Sequence, residues 1–416
     1  MSKIFISIAS FRDKELIPTI KDCLANADNP DNLSFGIAWQ HAVEDEWDNL
    51  NEFKDDTRFT IIDVNYKDSK GVCWARSEIQ KLYKNEDYYF QLDSHHRFIK
   101  GWDSVLIDML KKLQEKGHEK PLLTAYLPSY EPSLYPEGKI NQAWFLRFNR
   151  FGPEGVVHPH PEEIPGWENM TEPVNARFLS GHFIFTLGKF AREVPYDPDY
   201  FFHGEEISMA VRSYTHGYDL LHPHRPVAWH HYTRRGAKRP WDPDSLIPKW
   251  GDIDNNAKKK NRELFGIGTT RRNFGKYGFG RKRSLKQYED YAGIRFSDRT
   301  VQPYTADNGH NPPPNPDPNQ KFAVLTRYIF DIAYTDLSYT DYEYICIFYD
   351  NAESNFIYRE TISPDRFPQL YNDKDGYIKV ESAFWPKEHP VKAVMLPFRK
   401  GFGWSLSERK EIKLTE

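Results

Sequence analysis

Residues 90–98 read FQLDSHHRF: a strand-like apolar run that ends in an acid, a serine and two histidines. Alternate residues of an extended segment point the same way, so Asp93 and His95 can reach one cation together. A carboxylate beside an imidazole suits a divalent ion of borderline hardness such as Mn²⁺, and leaves positions open for phosphate oxygens. The same short pattern also arises when an aspartate caps the next segment and the histidine is structural. Far along the chain, AWHHYTRRG ends another strand-like run in His230 and His231, and either could complete the set. The cations that follow, Arg234, Arg235, Lys238 and Arg239, form a loop that fits a diphosphate or, equally, a solvated surface run.

A second group of candidates is acidic. Glu205 and Glu206, in FFHGEEISMAVR, stand at the entry to a helix, where acids complement the helix dipole. In a cleft the same pair could hold a sugar or acceptor hydroxyl. Arg12 and Asp13 close the first strand, and Arg76 lies in GVCWARSEI; each could contact a nucleotide or make a surface ion pair. No GxGxxG fingerprint, P-loop, GxSxG or CxxC occurs, which argues against dinucleotide-binding, Walker-type ATPase, serine-hydrolase and zinc-knuckle chemistry.

These residues need a frame. KIFISIA (3–9), LSFGIAWQ (33–40), RFTIIDVNY (58–66) and DYYFQLD (87–93) are strand-like, with helical periodicity in ELIPTIKDCLANA (15–27) and GVCWARSEIQKLY (71–83). Such alternation predicts a mostly parallel sheet with helices on both faces, whose ligands sit outside the carboxyl ends of the strands. SFRD, AWQ and LDSHH all fall at those ends. Further strands are expected at PLLTAYLPSY (121–130) and FLSGHFIFT (178–186), a helix within 201–217, and a basic helical stretch over 254–292. DNGHNPPPNPDPNQ (307–320) has a linker's composition, and the short strand-like runs from Lys321 onward predict a small all-β module.

At 416 residues, two domains are expected, and the net charge of -4 gives no reason to expect nucleic acid or an anionic membrane as a general partner. Three cysteines without a dense pattern fit a reducing, cytoplasmic setting, and neither a leader peptide nor an apolar run long enough to span a membrane is read from the sequence.

Taken in order, IFISIASFRD, FGIAWQ, ARSEIQKLY, DYYFQLDSHHRFIKGWD, FLSGHFIFT, VPYDPDYFFHGEEISMAVRSYTHGYDLLHP and AWHHYTRR resemble the polypeptide N-acetylglucosaminyltransferases that modify hydroxyproline or threonine. The best-known of these is a cytoplasmic enzyme acting on a ubiquitin-ligase adaptor. The resemblance covers roughly residues 3–235, and more distantly DSH, SGHF and the late histidine resemble mucin-type polypeptide N-acetylgalactosaminyltransferases. It implies a GT-A nucleotide-diphosphosugar fold and runs out at about residue 240; with the basic helical extension the transferase domain is expected over 1–306, and composition alone predicts the linker at 307–320 and a β-rich accessory domain at 321–416. The implied activity is retaining, Mn²⁺-dependent transfer of N-acetylglucosamine from UDP-GlcNAc to a Hyp, Thr or Ser hydroxyl of a protein. Carried over by motif, Asp93, His95 and His230 or His231 are metal ligands; Glu206, with Glu205 beside it, is the carboxylate near sugar and acceptor. Arg12, Asp13, Arg76, Asp93, Arg234 and Arg235 fall on the donor side. A transferase that builds a surface polysaccharide or glycan, and a carbohydrate-binding protein without catalysis, are the alternative expectations.

Overall fold

The computed structural model describes residues 2–152, 156–234, 236–242, 247, 249–308, 322–324, 326–333, 342–366, 370–372, 377–384 and 390–414. The expected linker lies outside the described residues from residue 309 onward, and so does Arg235. The chain divides into two compact units, Met1–Ser297 with Tyr304–Asn319 and Asp298–Pro303 with Gln320–Glu416.

In chain order the first unit carries β1 (Ile4–Phe11), α1 (Leu16–Asn26), β2 (Leu33–His41), β3 (Phe59–Asn65), α2 (Val72–Gln80), β4 (Tyr88–Asp93), β5 (His96–Phe98), α3 (Trp102–Glu115), β6 (Pro121–Thr124), β7 (Trp144–Phe151), β8 (Val157–Glu163), β9 (Val174–Asn175), β10 (Phe183–Leu187), α4 (Phe190–Glu193), α5 (Glu205–Thr215), β11 (Asp219–His222), β12 (Ala228–His230), α6 (Trp250–Phe265) and α7 (Leu285–Ala292). The main sheet runs β3-β2-β1-β4-β10-β6-β11-β9. Its strands are parallel except β10 and β9, which run against their neighbours. This is the mixed α/β architecture that the alternating sequence pattern predicts.

The centre of the sheet is apolar on both sides because helices cover both. Ile4, Ile6 and Ile8 of β1 share a core with Leu16, Ile20 and Cys23 of α1 and with Trp102, Leu106 and Leu110 of α3. The opposite side receives α2. A Cβ at Gly36 of β2 would come within 2.6 Å of the Phe5 ring and 2.8 Å of Ile79, so the missing side chain is what lets α2 settle on the sheet. With these layers in place, the carboxyl ends of β1, β2 and β4 open on the same rim, and register sets Ala9 directly beside Asp93.

Three expectations shift in detail. The strand expected over 178–186 begins only at Phe183, because residues 178–182 turn sharply and are held by the Ser180 N–H donating to Thr124 Oγ1 at 2.8 Å. The strand expected over 121–130 ends at Thr124 for the complementary reason. The basic stretch after residue 254 is two helices, α6 and α7, joined by a glycine-rich segment in which helix is interrupted. In the second unit, Tyr342–Asp350 pairs antiparallel with Phe356–Ile362 and with Lys392–Arg399, and Ile345, Ile347 and Tyr349 pack with Ala393 and Met395. This region is all-β, as expected.

Phe90, fully buried in β4, places its ring 5.1–5.5 Å from those of Trp102, Phe183 and Phe185. Phe90→Ala is expected to cost about 3–5 kcal/mol in urea unfolding of the first unit, while Phe90→Leu loses well under half of that. Equal losses for the two would contradict this packing.

Candidate active site

A cleft of about 570 Å³ opens at the carboxyl ends of β1, β2 and β4. Asp93, His95, Glu205, Glu206 and His230 all line it, together with Arg76. Asp93 ends β4. Its Oδ1 accepts from Arg76 Nη2 at 2.8 Å, and its Oδ2 faces His95 Nε2 at 3.8 Å and His230 Nε2 at 3.6 Å. These contacts are too long for hydrogen bonds. They are separations at which a carboxylate and two imidazoles could share one divalent ion, which Asp93, His95 and His230 would hold. All three ligand atoms lie within 4.8 Å of one another.

The surroundings of each ligand support that fit. His95 Nδ1 donates to Asp13 Oδ2 at 2.8 Å, which turns Nε2 toward Asp93, as an outer carboxylate orients a metal-binding imidazole. Asp13 also accepts from Ser94 Oγ at 2.7 Å and from Arg234 Nη2 at 3.0 Å. Burial alone would raise the Asp13 carboxyl, but the His95 ring and Arg234 hold it far below the usual range. His230 is buried, and among the described residues both its ring nitrogens lack a hydrogen-bond partner. Orphaned atoms of this kind are uncommon in interiors and call for a partner, which an ion beside Nε2 would supply. Burial pushes the His230 ring well below its usual pKa, so it is the neutral imidazole that a metal requires.

Arg76 ties this cluster to the acids. Its Nη1 donates to Glu205 Oε1, and Glu205 also accepts from Tyr196 Oη at 2.9 Å and contacts Cys73 Sγ at 3.4 Å. A Cβ at Gly181 would come within 2.6 Å of Glu205 and 2.9 Å of Arg76, which is why the turn before β10 carries glycine. Glu206 points elsewhere. It accepts from the Gly181 N–H at 2.8 Å and from Tyr126 Oη at 2.7 Å, and it borders the cleft. Burial raises its carboxyl to about 7; the Gly181 N–H opposes that rise and the Glu205 charge adds to it. Both acids sit in the first turn of α5, behind Gly204, whose φ of 85° closes the preceding loop.

The remaining sequence candidates lie around this centre. Arg12, at φ 46°, turns the chain out of β1, makes a two-point pair with Asp45 (2.6 and 3.0 Å), and lies outside the cleft lining. Asp13 sits behind His95. His231 stands apart from the ligand set; its Nε2 accepts from the Arg234 N–H at 3.2 Å. Lys238 and Arg239 line the cleft with Arg234. Two residues have no counterpart among the sequence candidates: Tyr126, which holds Glu206, and His182, whose ring stacks on His230 at 4.1 Å. Their signal was weak, a tyrosine just past a short strand and a histidine beside the glycine of SGHF.

A family model described as Glycosyltransferase (GlcNAc) matches residues 3–57 and 46–298, and the chain belongs to that family. No curated protein matches. Among solved structures it is similar to GalNAc-T7 with UDP, GalNAc and Mn²⁺, at 14% identity and a TM-score of 0.46, covering 70% of this chain and 50% of that one. It is also similar to S. aureus TarS 1-349 in complex with UDP-GlcNAc, at 11% identity and a TM-score of 0.38, covering 56% of this chain and 60% of that one. The chain thus spans between half and two thirds of the length of these two structures.

Because the folded Glu206 carboxyl holds its proton to about pH 7, above its unfolded value near 4.5, folding favours the protonated form. Its contribution to stability therefore falls as pH rises from about 4.5 through about 7. Infrared difference titration is expected to show a carboxyl signal titrating near 7 that Glu206→Gln removes and Tyr126→Phe shifts upward. A signal near 4.5 would contradict the buried environment.

Proposed function

We propose that this chain is a retaining, metal-dependent glycosyltransferase that moves N-acetylglucosamine from UDP-GlcNAc to a Hyp, Thr or Ser hydroxyl of a protein acceptor. The observation that carries the reading is the set Asp93, His95 and His230, converging in a cleft that also holds Glu206. Family membership supports the transfer of a GlcNAc-type sugar. A divalent ion such as Mn²⁺ bound by those three side chains would supply Lewis-acid neutralisation of a diphosphate.

The protein's own groups account for the rest. Negative charge grows on the departing UDP as the bond to the sugar breaks, and preorganised cations are most effective where charge develops. Arg234, held by Asp13, and the neighbouring Lys238 and Arg239 of the cleft wall provide such cations. Asp13 and Arg76 serve the donor side by fixing His95 and Asp93, and Arg12 acts at one remove, bracing the turn out of β1 through Asp45. Arg235 belongs to the same basic loop by sequence.

Glu206 is the carboxylate placed for the acceptor. Its Oε1 and Oε2 are held by Gly181 and Tyr126, so its position is set before the acceptor arrives. With a pKa near 7 it can accept a hydrogen bond from the acceptor hydroxyl in its ionised form. In a retaining reaction without a covalent intermediate, the hydroxyl attacks from the side UDP leaves, and its proton passes to the departing phosphate oxygen. Glu205, buried and held by Arg76 and Tyr196, keeps that wall of the cleft in place.

UDP release from a panel of UDP-sugars is expected for UDP-GlcNAc, only with a divalent cation, and to fall at least about 100-fold in Asp93→Ala. With acceptor, Glu206→Gln should lower kcat by about 10- to 100-fold, the loss of one hydrogen bond to a charged group, and flatten the rise of rate with pH through about 7. Turnover that is independent of metal, or unchanged in Asp93→Ala, would refute the reading.

A further inference from the structure

FQLDSHHRF contains a second histidine to which neither the ligand set nor the cleft assigns a role. His96 is fully buried at the start of β5, and β5 pairs with β12 so that His96 lies directly across from His230. Cross-strand partners of this kind present neighbouring side chains on one face. The two rings are 5.0 Å apart, edge to face at 66°.

The hydrogen bonds settle what each ring can offer. His96 Nδ1 lies 3.1 Å from the Asp93 carbonyl oxygen, which only accepts, so Nδ1 carries the proton and Nε2 carries a lone pair. That Nε2 is buried and has no hydrogen-bond partner among the described residues. The backbone beside it is anchored, with the His96 N–H donating to Thr19 Oγ1 at 2.9 Å. His230 presents Nε2 toward Asp93, so an ion there leaves its proton on Nδ1, also buried and without a partner among the described residues. The ring's plane is already confined: His182 stacks on it at 4.1 Å and 23°, and Tyr232 meets it at 4.2 Å. What is missing is an in-plane acceptor of the kind Asp13 gives to the ring nitrogen of His95.

We propose that His96 is the positioning residue of the third metal ligand: when a divalent ion binds, the Nε2 lone pair of His96 accepts the Nδ1–H of His230 and holds that ring for the ion. This inference rests on the reading that Asp93, His95 and His230 bind the metal. It goes beyond that reading in explaining two orphaned nitrogens by a single hydrogen bond. It also gives the doublet His95-His96 a division of labour, one ring on the ion and the other behind it.

The test is Mn²⁺ affinity of the full chain, read as free Mn²⁺ by electron paramagnetic resonance, in wild type, Asp93→Ala, His96→Phe and His96→Gln. Circular dichroism establishes that each variant is folded. His96→Phe keeps the ring but offers no acceptor, and is expected to weaken Mn²⁺ binding about 10- to 100-fold. His96→Gln restores an acceptor near the Nε2 position and is expected to recover most of that loss. Undiminished binding in His96→Phe, or equal loss in Phe and Gln, would overturn the inference while leaving the metal site intact, provided Asp93→Ala abolishes binding. Binding that survives Asp93→Ala would overturn the metal reading itself. Should His96→Phe fail to fold, wild type labelled with ¹⁵N-histidine and loaded with Mg²⁺ gives the answer: a protected proton on His230 Nδ1 is expected, and a rapidly exchanging one contradicts the inference.

Discussion

Asp93 divides its carboxylate between a buried guanidinium and two imidazoles, and the geometry of the cleft depends on that division. One oxygen is held by Arg76 at 2.8 Å; the other is left to His95 and His230. Arg76 is itself buried and spends its other arm on Glu205, so a single side chain of α2 fixes the end of β4 and the start of α5 together. A guanidinium out of water is costly unless both arms are matched. Here they are, which makes the pair of acids it joins interdependent. The glycine at 181 is part of the same constraint, since any side chain there would push Arg76 and Glu205 apart.

Around that constraint the histidines are sorted by their neighbours. His95 is oriented by Asp13, His230 is confined between His182 and Tyr232, and His231, one residue on, faces the backbone of Arg234. His231 lies one residue past the end of β12 and turns to the Arg234 backbone, which leaves His230 as the member of the doublet that faces Asp93. The two acids of α5 are sorted in the same way. Glu205 is consumed by Arg76 and Tyr196, whereas Glu206 keeps a half-buried face on the cleft with its carboxyl raised to about 7.

Much of the frame was legible in the sequence because parallel strands covered on both faces write themselves as apolar runs, and the polar residues that end those runs mark the rim of the cleft. IFISIASF and YYFQLD needed no further context. What the sequence could not carry was set by pairing between distant segments. The placement of His230, and not His231, beside Asp93 follows from the β5–β12 pairing, and the short β10 follows from a hydrogen bond between Ser180 and Thr124. Arg12 shows the limit most clearly: an arginine at a strand end invites a phosphate, but its guanidinium closes on Asp45, and the acid beside it takes up the work of orienting His95. Tyr126 and His182 were hidden because aromatic residues after strands are common in any core.

In the proposed function, Asp93, His95 and His230 would hold one ion on which the diphosphate of the donor rests. Anomalous diffraction at the manganese edge, on crystals grown with Mn²⁺ and UDP, tests it most directly. A single strong peak is expected within bonding distance of all three side chains and of oxygens from the UDP diphosphate. A peak elsewhere in the cleft, or UDP bound with no peak at these residues, would contradict it.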